Sequence, residues 1–331
     1  MRRTVAWILG IPLLLVVAGI VFLEIRTRSG ARAAEAQFAN HTPERIGDFN
    51  TTRRLSILPL IDWHTSRPDL RGELGVSYLV ETDEHRILFD VGQNTEQESP
   101  SRLEQNMATL GITVDSIDTI FISHNHFDHV GGHQRQNDQT FSIGLEQRAL
   151  SGVRAFVPIP MTYPGLSPIH AAEPTLIGNG VASTGTIPRQ LVFGWIDEQA
   201  LVVHVAERGA VLIVGCGHQT IPKLLERYDQ VFSEPLYGII GGLHYPVPEG
   251  RMKLLGLNAQ RVFASGDGMF ATLDISDVKA EIALLQTRGL GLVGVGGHDS
   301  SDEVIAMFSD AFGEAYHQVR VGERIEIGSP D

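Results

Sequence analysis

Short apolar runs begin at Leu55 and recur to the end of the chain. "LSILPLI", "GVSYLVE" and "RILFDVG" have strand length and composition, and "ETDEHR" between the last two reads as a hairpin turn. The period then changes. In "SRLEQNMATLGI", Leu103, Met107 and Leu110 fall on one helical face, and Gly111 stands where a helix stops. "TIFIS" returns to strand pattern. Residues 134–190 carry a weaker signal, rich in Pro, Gly and Thr, and part of that region is expected as loop rather than core.

The second half repeats this grammar. "ALVVHVAERGAVLIVGCGH" reads as a hairpin turning at "ERG", and "LYGIIGGLHYP", "LGLVGVGGHD" and "YHQVRVGERIEIG" as further strands. "QTIPKLLERY", "DISDVKAEIALLQTRG" and "SDEVIAMFSDAFG" have helical spacing, the second with an aspartate or serine cap. Strands come in sets and then alternate with helices in both halves. That order predicts an α+β fold in which two sheets pack face to face with helices outside, a four-layer αββα sandwich formed by one domain over residues 51–331.

The first residues follow a different rule. After the basic "MRRT", Val5 to Leu23 is a stretch of roughly 19 residues without charge, close to the ~20 needed to span a bilayer as a helix. A cleaved secretory signal is the second choice, because its apolar region is shorter and "ARAAEA" lies late for a cleavage site. Residues 1–29 are therefore expected as a transmembrane anchor or signal segment, and residues 30–50 as a polar linker. Arginines flank both sides (Arg2 and Arg3; Arg26, Arg28 and Arg32), so orientation is weakly set. The expectation is a single-pass protein of the cell membrane with its catalytic domain on the extracytoplasmic, periplasmic side, or a secreted one if the N-terminus is cleaved.

Composition narrows the partners. The 331 residues carry 39 acidic and 26 basic side chains, a net charge of −13, which disfavours nucleic acid. It leaves room for a small-molecule substrate, even an anionic one, because bound cations can invert a local field. Cys216 is the single cysteine, so no intrachain disulfide forms. Nothing in the sequence fixes the oligomeric state.

The candidate chemistry lies directly after "TIFIS", in "HNHFDHVGG". Residues turning alternately toward one point after a strand let His124 and His126 share a metal ion, while Asp128 and His129 face a neighbouring position. Neutral imidazoles and a carboxylate suit zinc and, with these donors, iron or manganese. Gly131 and Gly132 allow close backbone packing where the next helix begins.

This pattern resembles the metallo-β-lactamase superfamily. The resemblance extends over "GVSYLVE", "ILFDVGQN", "LGITVDSIDTIFISHNHFDHVGG", "STGTIPR", "DEQALVVHVAERGAVLIVGCGH" and "IIGGLHYP". These segments are similar to the branch containing dihydropterin ribofuranosyl-aminobenzene phosphate synthase and many metallo-hydrolases. The resemblance implies an αββα fold and a dinuclear site between its sheets, holding two divalent metal ions with zinc the first choice. It assigns His124, His126 and His218 to one ion and Asp128, His129 and His298 to the other. His218 matches the family's Gly-Cys-Ser/Ala-His pattern with Gly217 in the small position. After His298 the usual Cys-Thr-Gly is replaced by Asp299, Ser300 and Ser301, which puts the pocket wall in question more than the ligand.

Further roles are expected nearby, those of His244 and Asp90 from the same resemblance. Asp128 and His244 are the candidate catalytic groups, with His244 expected to face the cleft and touch substrate. Asp90 is expected to support the metal loop through hydrogen bonds. Arg189 is either a contact to developing negative charge or a structural ion-pair partner, and Cys216 is expected as a small buried residue rather than a bridge between metals. His64, His85, His133, His170, His204 and His317 match no pattern. The implied function is a metal-dependent hydrolase using a metal-bridging hydroxide on an ester, lactone or phosphoester. The alternatives are a dihydropterin-type transferase or synthase on the same site, and a non-catalytic metal-binding sensor.

Overall fold

The computed structural model describes residues 2–328, with side chains from residue 14 onward. The chain begins with α1 (Arg2–Asn40). The strands β1 (Arg54–Ile61), β2 (Ser77–Glu81) and β3 (Arg86–Phe89) follow, then α2 (Arg102–Thr109), β4 (Thr119–Phe121), α3 (Phe127–Val130) and α4 (His133–Asn137). Next come the strands β5 (Arg154–Val157), β6 (Ile169–His170), β7 (Thr175–Gly178), β8 (Val181–Ser183), β9 (Ile187–Leu191), β10 (Gly194–Glu198), β11 (Leu201–Val205) and β12 (Gly209–Val214). The remainder is α5 (Ile221–Val231), β13 (Leu236–Gly241), β14 (Lys253–Leu254), β15 (Leu257–Asn258), α6 (Ala259–Ala264), α7 (Ile275–Gln286), β16 (Leu292–Val295), α8 (Asp302–Phe312) and β17 (Ile325–Gly328).

Two sheets organise these elements: a seven-stranded one ordered β17-β1-β2-β3-β4-β5-β6, and a six-stranded one ordered β16-β13-β12-β11-β8-β7. Strand alternation explains why they stack. In β1, Leu55 and Ile57 join Tyr78, Phe89 and Phe121 in a core shared with Val203, Val211, Ile213 and Ile240 of the other sheet. Leu58 and Leu60, on the opposite face, meet Leu103 and Met107 of α2. In β12, Leu212 and Val214 face outward against Leu224 and Leu225 of α5, Val278 and Ile282 of α7, and Phe308 of α8. Three apolar layers separate four structural ones, so the αββα arrangement follows from which face of each strand is apolar.

Helix ends agree with the sequence. Ser101 and Glu104 form a reciprocal capping box on α2, Asp274 and Asp277 form another on α7, and Ser301 caps α8. The weak region 134–190 holds five short strands, of which β5 and β6 extend the first sheet and β7 and β8 the second. At two to four residues for these four, no periodicity can develop. "YHQVRVGERIEIG" yields a strand only at Ile325–Gly328.

The N-terminal expectations require correction. Residues 30–40, expected as linker, continue α1, because "ARAAEA" is rich in helix-forming alanine and Thr27, Ala34 and Phe38 form one buried stripe. That stripe packs on β9, with Gly30 lying against Gln190. Arg227 and Lys223 of α5 stand over the Phe38 ring at 5.4 and 5.6 Å. Among the described residues no helix is long and apolar enough to cross a membrane, so the expected transmembrane span gains no support there. The first part of that span, residues 5–13, lies outside the residues whose side chains are described.

Candidate metal centre

Each residue of the centre sits at or just beyond the carboxyl end of a strand. Asp62 follows β1, Asp90 follows β3, and Glu198 ends β10. The segment 123–129 follows β4, 216–218 follows β12, His244 follows β13, and 298–299 follow β16. Parallel pairing of β3 with β4, and of β13 with β12 and with β16, brings these ends to one edge of the sandwich.

The six expected ligand residues converge there. Donor atoms of His124, His126 and His218 lie within 4.8 Å of one another, and those of Asp128, His129, Cys216 and His298 form a second such group. The two adjoin: the rings of His124 and His129 are 4.1 Å apart. A third group links Cys216, His218 and His244.

The second group is built with care for orientation. His129 Nδ1 lies 2.6 Å from Asp90 Oδ2, and Ser123 donates to the same carboxylate from its backbone N–H at 2.7 Å and its hydroxyl at 2.6 Å. Held this way, His129 turns Nε2 toward Cys216 Sγ at 3.2 Å and Asp128 Oδ2 at 3.7 Å. His298 Nε2 meets the same sulfur from the other side, also at 3.2 Å. The carboxylate–histidine arrangement is the one that fixes the tautomer of a metal-binding imidazole. Asp90 thus occupies the supporting place expected of it. Replacing it by alanine is expected to weaken metal binding about 10–100-fold, measured by competition with a chelator; unchanged affinity would show that His129 needs no such support.

Cys216 is small and buried, as expected, and its thiol also stands between His129 and His298 among the donor atoms. Burial, with Asp299, Asp128 and Glu198 nearby, pushes that thiol well above its ordinary pKa. A cation in the centre would reverse that balance, because thiolate coordination offsets the cost of the charge.

The protonation of His124, His126 and His218 favours cation binding. Burial, reinforced by neighbouring imidazoles, holds His124 and His218 well below the usual histidine range. Burial also lowers His126, to about 4, against the opposing pull of Asp128. For His129 burial works the same way but is outweighed by Asp90 and Asp128, which raise it to about 9. Neutral imidazoles are metal ligands. Both ring nitrogens of His218 and of His244, and Nδ1 of His298, are buried without a hydrogen-bond partner. Orphaned buried donors are rare unless an ion or water completes them, so the residues present fit the divalent cations that the fold family implies.

Three further carboxylates shape the centre and were missed as site residues in the sequence. Glu198 accepts hydrogen bonds from the backbone N–H groups of Cys216, Gly217 and His218 at 2.9, 2.9 and 2.8 Å, fixing the loop that presents His218. Burial pushes its carboxyl up to about 7 despite these donors. Gly217 in that loop has φ +74°, and a Cβ there would lie 2.8 Å from Leu243 Cα, which explains its small position. Asp62 accepts from Trp63 and Gly297 N–H at 2.7 and 2.8 Å and lies 3.9 Å from His298 Nδ1. Asp299 accepts the His244 N–H at 2.9 Å and stands 3.6 Å from His298 Nε2. The departure Asp-Ser-Ser is therefore structural: Ser300 accepts the Tyr245 N–H, and Ser301 bonds Val247 O while capping α8. No local pattern in the sequence marks Asp62, Glu198 or Asp299 as neighbours of the centre.

The centre opens into a cavity of about 570 Å³, where His126, Asp128, Cys216, His218 and His244 meet Phe193 and Met252. His218 and His244 also border a second cavity of about 440 Å³ that reaches Arg189 and Glu281. His244, at φ +57°, faces both, as expected for a residue in the cleft. Arg189 pairs with Asp267 at 2.8 Å and donates to Gly266 O at 2.9 Å, which is the structural ion-pair role.

A sandwich of this order with this histidine centre defines the metallo-β-lactamase fold, and the comparisons agree. Residues 70–135 match the family model described as the metallo-beta-lactamase superfamily. The chain is a metallo-β-lactamase-fold protein. It is 22% identical over 294 residues to the 7,8-dihydropterin-6-methyl-4-(beta-D-ribofuranosyl)-aminobenzene-5'-phosphate synthase of Methanocaldococcus jannaschii, covering 76% of this chain and 90% of that relative. A second protein of that organism, the uncharacterized MJ0448, is 26% identical, covering 51% of this chain and 72% of its own. Among solved structures, Tm1679, a metal-dependent hydrolase of the β-lactamase superfamily, superposes with a TM-score of 0.57 at 19% identity, covering 83% of this chain and 100% of the other.

Proposed function

We propose that the protein is a dinuclear metal-dependent hydrolase acting on an ester, lactone or phosphoester. The observation that carries this reading is the pair of adjoining buried donor sets, His124–His126–His218 and Asp128–His129–His298, at the floor of an accessible cavity. Divalent cations held there, zinc first among them, supply Lewis acidity and a water acidic enough to attack at neutral pH. The chain does the positioning. Asp128 orients the attacking water through its carboxylate, and Cys216 adds a sulfur donor to the second set. His244, whose ring nitrogens have no hydrogen-bond partner in the protein, donates to negative charge developing on the substrate.

Two other readings have specific support. Similarity to the dihydropterin synthase favours a synthase or transferase on the same centre, and a sensor that binds metal without turnover would keep these ligands too. Metal analysis with a phosphoester and lactone panel, run with and without chelator, separates the three. We expect chelator-sensitive hydrolysis, and about a 100-fold loss of kcat in His244→Ala at unchanged metal content. Metal binding with no hydrolysis of any panel member, in the parent protein, would overturn the hydrolase.

The location proposed is the cell membrane, with α1 holding the catalytic domain on the extracytoplasmic side. The uncharged stretch from Val5 to Leu23 supports it. Protease accessibility in intact and opened cells tests the orientation.

A further inference from the structure

Five large apolar side chains stand in solvent on segments next to the two cavities: Phe193 (57% exposed), Leu254 (59%), Leu255 (95%), Leu257 (70%) and Phe270 (73%). Each belongs to a segment that walls one of these cavities or leads into its wall. Phe193, at the β9–β10 turn, lines the 570 Å³ cavity and packs against Phe263 of α6 with ring centroids 5.6 Å apart. The β14–β15 hairpin carries the three leucines and runs directly into α6, whose Gln260 and Ala264 line the same cavity. Phe270 lies in the loop whose Gly266, Asp267 and Ala271 border the second cavity. Scattered exposed leucines need no explanation, but apolar residues gathered at the rim of a site mark a contact surface.

Helix α1 joins this rim and indicates what covers it. The Glu24 carboxylate accepts the Met269 N–H at 2.9 Å, one residue from Phe270. Before Glu24 the helix exposes Leu14, Leu15, Val16, Val17, Val21 and Phe22. After it come Arg26, Arg28 and Arg32. Exposed apolar turns followed by arginines are the order of a helix leaving an acyl layer and entering the headgroup layer. The Phe270 loop meets that transition directly, because Met269 is hydrogen-bonded to Glu24. Charge does not drive the contact, since the chain carries −13 overall; apolar insertion does.

We propose that the mouth of the metal cavity rests on a lipid bilayer, with the β14–β15 hairpin, Phe193 and Phe270 in its interfacial layer, so that the centre receives amphiphilic substrates from the lipid. Contact with the surface does not require α1 to cross it. The substrate half rests on the hydrolase reading: the bond cleaved lies in a polar head, and the acyl chain extends toward the rim.

Two measurements on the full chain test the halves separately. A fluorophore on Leu255→Cys, with Cys216 buried and spared from labelling, is mixed with phosphatidylcholine vesicles carrying an acyl-chain nitroxide quencher. The control label is Glu84→Cys, on the β2–β3 turn at the strand ends opposite the centre. We expect several-fold quenching at position 255 and none at 84. Equal quenching at both positions, or at neither, overturns membrane contact; so does lipid-independent, concentration-dependent shielding of position 255 from iodide, which would make the rim an interface with a second copy. In the second arm, the combined Leu254→Ser, Leu255→Ser and Leu257→Ser protein should lose tenfold or more in kcat/KM on a long-acyl ester in vesicles and keep its rate on a short-acyl ester of the same head. Equal loss on both, or on neither, overturns delivery from the lipid. If the parent protein cleaves neither ester, the substrate half falls with the hydrolase, and the quenching result still decides the contact.

Discussion

Replacing His218 by alanine is expected to remove one metal ion per chain and lower turnover by roughly a thousandfold, the rate equivalent of the ~4 kcal/mol of charge stabilisation a catalytic cation provides. The reason lies in what His218 does not touch. It is buried, and neither ring nitrogen has a hydrogen-bond partner in the protein. A structural histidine in that setting would leave both nitrogens unsatisfied, at about 1–3 kcal/mol each. Its neighbours, His124 and His126, stand 5.1 and 5.0 Å from it ring to ring, and burial keeps His124 and His218 neutral and ready to ligate. Elemental analysis should read about two metal ions per parent chain and about one per variant, while the metal-free forms melt at similar temperatures. A variant that keeps both metals, or one whose metal-free form is grossly unstable, would mean that His218 serves the fold and not the centre.

Glu198→Ala should act on the same ion from behind the loop. Its carboxylate gathers three consecutive backbone N–H groups, those of Cys216, Gly217 and His218. Alanine strands all three in a buried place. At about 1–3 kcal/mol for each unpaired donor, the expected loss is several kcal/mol of stability even without metal. Released from that clamp, the loop presents His218 and Cys216 less accurately, and affinity should fall about 10–100-fold. Glutamine, which keeps one acceptor oxygen but brings an amide toward a donor, should fall between parent and alanine. Urea unfolding of the metal-free proteins and chelator competition on the loaded ones measure the two effects. An alanine variant as stable as the parent, binding metal equally well, would show that the loop holds itself.

The contrast between these two residues describes what could be read along the chain. His218 announced itself through a pattern, a histidine after Gly-Cys-Gly at the end of an apolar run. Glu198 has no such signature; it stands among ordinary hairpin residues, and its importance comes from β10 ending beside the turn after β12. Asp62 is similar, more than 230 positions from His298 in sequence and 3.9 Å from its ring. Cys216 was read as small and buried, which it is, but a lone cysteine at a strand end gives no sign of the two imidazoles that flank its sulfur. The α1 segment from 30 to 40 was misread for a different reason. Its buried stripe of Thr27, Ala34 and Phe38 is too sparse to stand out from polar neighbours, and only β9 and α5 give it something to bury against.

By itself the sequence determined the layers and the donor types. Strand and helix periods are local properties of which positions are apolar, and a sheet with two apolar faces has to be covered on both. The histidine-rich turn after β4 is likewise local, its residues being neighbours in the chain. Tertiary structure decided the rest: which carboxylates stand behind which imidazoles, where the thiol points, and which exposed apolar residues stand on the segments next to the cavities. Those depend on strand order and register, set by the packing of the whole sandwich, and packing energy is a sum over distant pairs that no short window of sequence contains.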